Sequence, residues 1–380
     1  MSLLIDELKQ SRSLKYWTAT RQYAAEILSA LLMDAEQVRL FLKLDGIDAL
    51  LTVCACFRKA NVALDEPLHQ EMTENVFDAL AAVLSQPEGR SAFFDAEGIA
   101  LLLLILKARN VAQRLALKAL SYFLSIDAPS IYCDQFVQDM GLGVVMPYLL
   151  VRYTPKQASS RSHVSSKQIQ KQAEAIEQED YLIAALWVMF HKLTGSSLVR
   201  LIRKFMEKDG EKIDRLLEML DVRLRRVDVA HDTLTAQHAS ELYQQSVTAE
   251  EREALYESGM LDAGLLSLQQ LAYILIVLAT LSEENNPDDS ANVSSCKASD
   301  DVSEPQLGPA SQTVFDQASS LAKERILYHF QLEKADPLVL RDVLAVYVDN
   351  LENESVEADL CSLLIDNYTS LFASEQKSDK

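Results

Sequence analysis

Glu71, Asn75 and Asp78 stand at i, i+4 and i+7, a spacing that places three polar side chains on one face of a helix. Two carboxylates and an amide gathered in this way can accept hydrogen bonds from the ammonium and guanidinium groups of a basic peptide. These three are therefore the candidate partner-binding residues, although the same pattern also fits a helix face that is only solvated. Further along, Arg114 and Lys118 are again four apart, so a uniformly acidic groove is not expected. Nor is there a regular ladder of Trp and Asn of the kind that clamps an extended basic peptide, because Trp187 stands alone among the candidate helices.

Catalytic chemistry finds little support. The chain has no GxxxxGK[ST] phosphate loop, no HExxH and no paired CxxC. Cys54 and Cys56 are two apart on a predicted helix, where side chains diverge by about 200°, which makes them poor joint metal ligands. His231 and His238 are seven apart and can share a helical face, but no third ligand accompanies them. Gly141 and Gly143 form a GxG after a helical segment, whereas a dinucleotide site needs a strand before the glycines. No catalytic residue, metal or cofactor is expected, and the chain reads as a non-enzyme.

The elements that must position these groups are visible in a recurring pattern: a Phe, a Gly five residues later, then apolar residues at +1, +4, +5 and +8 from that Gly. The copies are Phe41, Gly46, Ile47, Leu50, Leu51 and Cys54; Phe93, Gly98, Ile99, Leu102, Leu103 and Leu106; and Phe136, Gly141, Leu142, Val145, Met146 and Leu149. The apolar offsets mark one face of a helix, the Gly is expected to supply the sharp turn into it, and the Phe belongs to a short element before the turn. The glycines are 52 and then 43 residues apart, around the period of HEAT and armadillo repeats. Longer amphipathic helices accompany each unit, with apolar faces at Tyr23, Ile27 and Leu31, at Val76, Leu80, Val83 and Leu84, and at Leu117, Leu120 and Leu124. Ile183, Leu186, Trp187 and Phe190 repeat the spacing once more without a matching Phe and Gly. One repeat cannot bury its own apolar face, so several must stack. The expected fold is all-α, an armadillo/HEAT-like right-handed superhelical solenoid that becomes irregular toward the C-terminus.

Composition agrees: 49% of residues are hydrophobic, with 10 Gly and 9 Pro in 380, a balance that favours helices over sheet or disorder. The formal charge of −20, from 36 basic and 56 acidic residues, argues against direct nucleic-acid binding, which needs clustered positive charge, and favours basic partners; it also serves plain solubility. The five cysteines show no regular spacing, which indicates a reducing compartment rather than a disulfide framework. The longest apolar stretch, Leu271 to Leu281, is too short to cross a bilayer and reads as a buried helix. The expected organisation is armadillo-like repeats over 1–150; a basic loop and the start of a helix over 151–180, with Arg152, Lys156, Arg161, Lys167 and Lys171; further helical repeats over 181–282; an acidic disordered linker over 283–312; C-terminal helices over 313–373, at 313–332, 337–351 and 355–372; and a disordered tail over 374–380.

LFLKLDGIDALL (40–51), EMTENVFDAL (71–80), AEGIALLLLIL (96–106), LIRKFMEKDGEKIDRLLEM (201–219) and GMLDAGLLSLQQLAYI (259–274) resemble the beta-catenin-like protein 1 family. The resemblance runs with gaps over about residues 1–280 and more weakly through 313–350. It implies a nuclear armadillo-fold protein without known catalytic activity, associated with the spliceosome through the nineteen complex and binding basic, nuclear-localisation-type segments of splicing factors. A nuclear transport adaptor for basic cargo is the alternative expectation. No peptide-contact motif of the family maps onto single residues here, so Glu71, Asn75 and Asp78 rest on their own spacing. Family members carry an amino-terminal helical region ahead of the matching part. This chain is accordingly expected to be a fragment or a shortened form, with an exposed apolar first layer that would allow a homodimer.

Overall fold

The Phe–Gly pattern is a packing device. In the computed structural model, which describes residues 1–11, 13–59, 67–152, 166–239, 247–281, 309–351 and 355–373, each Phe lies on a short helix: α3 (Ala35–Lys43), α6 (Pro87–Asp95) or α9 (Ser130–Gln138). Each Gly is the first residue of the helix that follows: α4 (Gly46–Cys54), α7 (Gly98–Ala108) or α10 (Gly141–Leu149). Phe41, Phe93 and Phe136 are fully buried. A Cβ on the paired glycine would lie 2.6 Å from Phe41 Cζ, 2.5 Å from Phe93 Cζ and 2.5 Å from Phe136 Cζ, nearer than carbon atoms approach. The glycine is thus required by the ring that covers it.

The expectation that this glycine itself makes the turn is corrected. The left-handed residue is the one before it, Asp45 at φ 55°, Glu97 at φ 56° and Met140 at φ 64°, a conformation that costs a side-chain-bearing residue about 1 kcal/mol. Close approach and backbone reversal are therefore divided between two neighbouring positions.

Contacts divide the chain into two units, Met1–Leu193 and Thr194–Lys380. In the first, α1 (Ser2–Gln10) and the Phe–Gly hairpins accompany four further helices, α2 (Ala19–Leu31), α5 (Pro67–Leu84), α8 (Gln113–Phe123) and α11 (Ser166–Lys192). These pack in order, α2 on α5, α5 on α8 and α8 on α11. Helix starts follow capping rules: the Asp34 carboxylate accepts from the backbone N–H of Glu36 at 2.9 Å and of Gln37 at 3.1 Å, worth about 1 kcal/mol, and Pro87 opens α6. Val76, Leu80, Val83 and Leu84 of α5, Leu117, Leu120 and Leu124 at α8, and Ile183, Leu186, Trp187 and Phe190 of α11 are all buried.

The face expected on α2 is not. Tyr23, Ile27 and Leu31 are 59%, 52% and 38% exposed, while Gln22, Ala24, Ala25 and Leu28 are buried. Four-residue spacing says which side chains share a face, not which face receives a neighbour, and α5 packs against the face rich in alanine. Because α11 joins the row on α8, the first unit ends at Leu193, inside the expected 181–282 segment.

The second unit contains α12 (Gly195–Met206), α13 (Glu211–His238), α14 (Ala249–Ala263), α15 (Leu265–Ala279), α16 (Pro309–Glu333), α17 (Val339–Asp349) and α18 (Val356–Ala373). A capping box joins Thr248 and Glu251 at the start of α14, and Gly264 at φ 99° separates α14 from α15. Helix α15 is buried over nearly its whole surface, because α13, α16, α17 and α18 all pack on it. This is the buried helix expected around Leu271–Leu281. No single described helix is long and apolar enough to cross a membrane; α14 and α15 pass by length and composition only as a pair, bent by 57°. The last three helices begin at Pro309, Val339 and Val356, where 313, 337 and 355 were expected. The acidic segment up to residue 308, the tail at 374–380 and residues 153–165 of the basic loop lie outside the described residues, while Lys167 and Lys171 fall on α11. Among the described residues there are eighteen α-helices and no strand.

Candidate peptide-binding face

Glu71, Asn75 and Asp78 do share one face of α5, and the packing of the neighbouring helices gives that face its chemistry. Glu71 Oε2 accepts from Gln22 Nε2 of α2 at 3.1 Å, and Asp78 Oδ1 pairs with Lys118 Nζ of α8 at 2.7 Å. Asn75 is half-buried between them. One turn from Asp78, Glu74 Oε1 lies 3.5 Å from Arg114 of α8, whose other terminal nitrogen donates to Glu177 Oε2 of α11 at 2.7 Å. Tyr181 donates to the remaining Glu177 oxygen at 2.5 Å. Burial and then this bond to a carboxylate push the Tyr181 pKa well above its usual value, so its hydroxyl remains a donor at physiological pH. Gln113 Nε2 meets Gln178 Oε1 at 3.3 Å beside them. The result is a polar ladder across α2, α5, α8 and α11.

Exposure sorts the two charges. The Arg114 and Lys118 side chains are 22% and 21% exposed, against 56% for Glu74 and 44% for Asp78. The cations therefore sit deeper than the carboxylates that they bridge. Ion pairs this accessible contribute about 0–1 kcal/mol each, so the ladder orients side chains more than it holds the helices together. Glu71 is exposed and the Asp78 side chain is 44% exposed, so both carboxylates remain accessible to solvent beside their internal partners. A cleft of about 460 Å³ opens beside Glu74 and Arg114, lined also by Gln70, Thr73, Lys171 and Glu174.

Sequence reasoning singled out Glu71, Asn75, Asp78, Arg114 and Lys118 but missed Glu74, Glu177 and Tyr181. Glu74 is four residues before Asp78 and Glu177 four before Tyr181, so helical spacing carried a signal for each. Nothing in the sequence pairs Asp78 with Lys118 or Arg114 with Glu177, since those contacts come from helix packing.

The other candidates are placed elsewhere. Cys54 ends α4 and is buried, and Cys56 lies in a following 3₁₀ turn; desolvation raises both thiol pKa values. His231 and His238 do share a face, and both meet Tyr256 of α14: His231 Nδ1 lies 2.6 Å from its hydroxyl, and the His238 ring centroid is 5.6 Å from that of the tyrosine. Among the described residues no group of three or more His, Cys, Asp or Glu side chains is placed to hold a metal. Gly141 is accounted for by Phe136, and Gly143 stands in open space.

Stacked Phe–Gly hairpins backed by a row of further helices with a polar ladder define an armadillo-type repeat protein. The family described as catenin-beta-like, Arm-motif containing nuclear matches residues 1–302, and the chain belongs to it. Beta-catenin-like protein 1 of Mus musculus and that of Homo sapiens are each 30% identical over 269 residues, which is 70% of this chain and 45% of theirs. The homolog of Schizosaccharomyces pombe is 27% identical over 260 residues, 67% of this chain and 40% of its own. The chain thus spans less than half the length of the curated relatives that it matches. The crystal structure of an engineered protein is similar at a TM-score of 0.33 and 15% identity, over 86% of this chain and 98% of that one, a likeness that carries no weight for the fold.

Proposed function

We propose that the chain is a non-enzymatic scaffold of pre-mRNA splicing in the nucleus, which docks basic, nuclear-localisation-type segments of splicing factors and associates with the nineteen complex of the spliceosome. The docking face is that of α5, with Glu71 and Asp78 accepting from Lys and Arg side chains and Asn75 accepting through its amide oxygen. One observation carries this reading: the carboxylates of this face are more exposed than the cations that pair with them, Glu74 and Asp78 at 56% and 44% against Arg114 and Lys118 at 22% and 21%, with Glu71 exposed as well. Membership of a nuclear Arm-motif family supports the setting. The net charge of −20 favours approach of a cationic segment, an attraction screened over about 10 Å at 0.1 M salt.

Titration of the purified chain with a fluorescent Lys-rich peptide at two salt concentrations tests the site. Saturable binding that weakens with salt and drops about tenfold or more in Glu71→Gln/Asp78→Asn is expected, in line with loss of two charge-assisted contacts. A folded wild-type chain that does not bind, or that binds equally well with both residues neutralised, refutes it. Co-purification with nineteen-complex proteins from nuclear extract tests the setting separately, and its absence where a full-length relative is retained counts against splicing.

A further inference from the structure

Granted that the α5 face takes basic segments, we infer that Lys118, seated on Asp78, and Arg114, seated on the neighbouring Glu74 of the same helix, are built-in competitors that hold carboxylates of this face in the free protein and set the threshold a ligand must pass. Each already does what a ligand's side chain would do. Lys118 Nζ holds Asp78 Oδ1 at 2.7 Å, and Arg114 spans Glu74 at 3.5 Å and Glu177 at 2.7 Å. Both come from α8, the helix packed directly on α5, so they are delivered by the fold at a high effective concentration. Their two positive charges also repel an incoming cation. A single Lys gains little on such a face, since it meets a carboxylate already half neutralised. A ligand that presents several cations can meet Glu71, which no cation among the described residues holds, together with Asp78 and Glu74, and displace Lys118 and Arg114 from the latter two.

Removing the competitors must therefore strengthen binding, whereas it would weaken binding if Arg114 and Lys118 served mainly to hold the carboxylates in position. The probe is a labelled peptide of alternating Lys and Ser. Its cations stand about 6.6 Å apart when extended, close to the rise of about 6 Å between residues 114 and 118 of a helix.

Wild type, Arg114→Gln, Lys118→Gln, the double variant and the charge-keeping Lys118→Arg are titrated by fluorescence polarisation at 50 and 200 mM salt, with circular dichroism as the folding control. Binding about threefold to tenfold tighter in the double variant, a steeper salt dependence and near-wild-type affinity for Lys118→Arg are expected. The single variants give the sign if the double variant does not fold. Equal or weaker binding after the cations are removed, while Glu71→Gln/Asp78→Asn still abolishes wild-type binding, overturns the competition and leaves the site standing. No binding by any folded form overturns both.

Discussion

Gly98→Ala adds a single methyl group, and the structure gives its consequence a sign and a size. The new Cβ would lie 2.5 Å from Phe93 Cζ, with Phe93 fully buried and the helix of Gly98 fixed by Ile99, Leu102 and Leu106, all buried as well. Alanine is favoured over glycine in a helix by up to about 1 kcal/mol, whereas forcing a methyl group into a filled core costs about 1–3 kcal/mol. A ring that cannot swing aside puts the cost at the upper end, so the net destabilisation is about 2 kcal/mol. Phe93→Ala alone leaves a cavity and costs about 3–5 kcal/mol. In that background the methyl group of Gly98→Ala meets empty space, and the substitution becomes neutral or slightly stabilising. The two changes are coupled by about 2 kcal/mol, well above the deviation of a few tenths seen between independent sites.

Urea unfolding followed by tryptophan emission measures this directly. The chain has two tryptophans, Trp17 and Trp187, both buried and both in the unit Met1–Leu193 that holds the pair. A Gly98→Ala variant as stable as wild type, or one equally destabilising with and without Phe93, would falsify the claim that the ring dictates the glycine.

Ionisation supplies two further expected outcomes. Partial burial would raise the Asp127 pKa, but hydrogen bonds from Ser125 and the buried Arg90 hold it below the usual range. A depressed carboxyl stabilises above its unfolded-state pKa of about 4 and loses that contribution as pH falls through the folded value; Asp127→Asn should be less stable than wild type at pH 7, with the gap closing below about pH 4, and a constant gap across the titration refutes the assignment. Burial pushes the thiols of Cys133 and Cys361 up to about 12 and that of Cys54 higher, while Cys56 is half-exposed. In a Cys296→Ser chain at pH 8, Ellman's reagent should modify Cys56 first, and prompt reaction of all four thiols in the folded protein contradicts the packing.

The sequence carried the stacking but not its causes. Offsets from Phe41, Phe93 and Phe136 located three hairpins because a ring over a glycine five positions later is a local arrangement and leaves its mark in residue types. The division of labour within it was hidden: two of the left-handed residues, Asp45 and Glu97, are carboxylates but the third is Met140, so no shared residue type marks their common backbone conformation. Periodicity also failed to choose between the two faces of α2, where small alanines rather than Tyr23 and Ile27 meet α5. The candidate face was half legible for the same reason. Spacing along one helix assembled Glu71, Asn75 and Asp78, whereas the cations opposite them come from a neighbouring repeat.

That neighbour changes what the overall charge means. A chain at −20 attracts cations at long range, but at physiological ionic strength this reach is about 8 Å, little more than the separation of two side chains. Close to the surface the internal pairs decide, and around α5 and α8 two of the nearest charges are positive. Net acidity can bring a basic segment to the molecule, but where it settles depends on which carboxylate oxygens Arg114 and Lys118 leave open. On the proposed face the exposed candidates are Glu71 and Asp78, on the helix where the spacing first gathered them. Substitution of distant surface acids should therefore slow association and flatten its salt dependence, while substitution on α5 should speed dissociation.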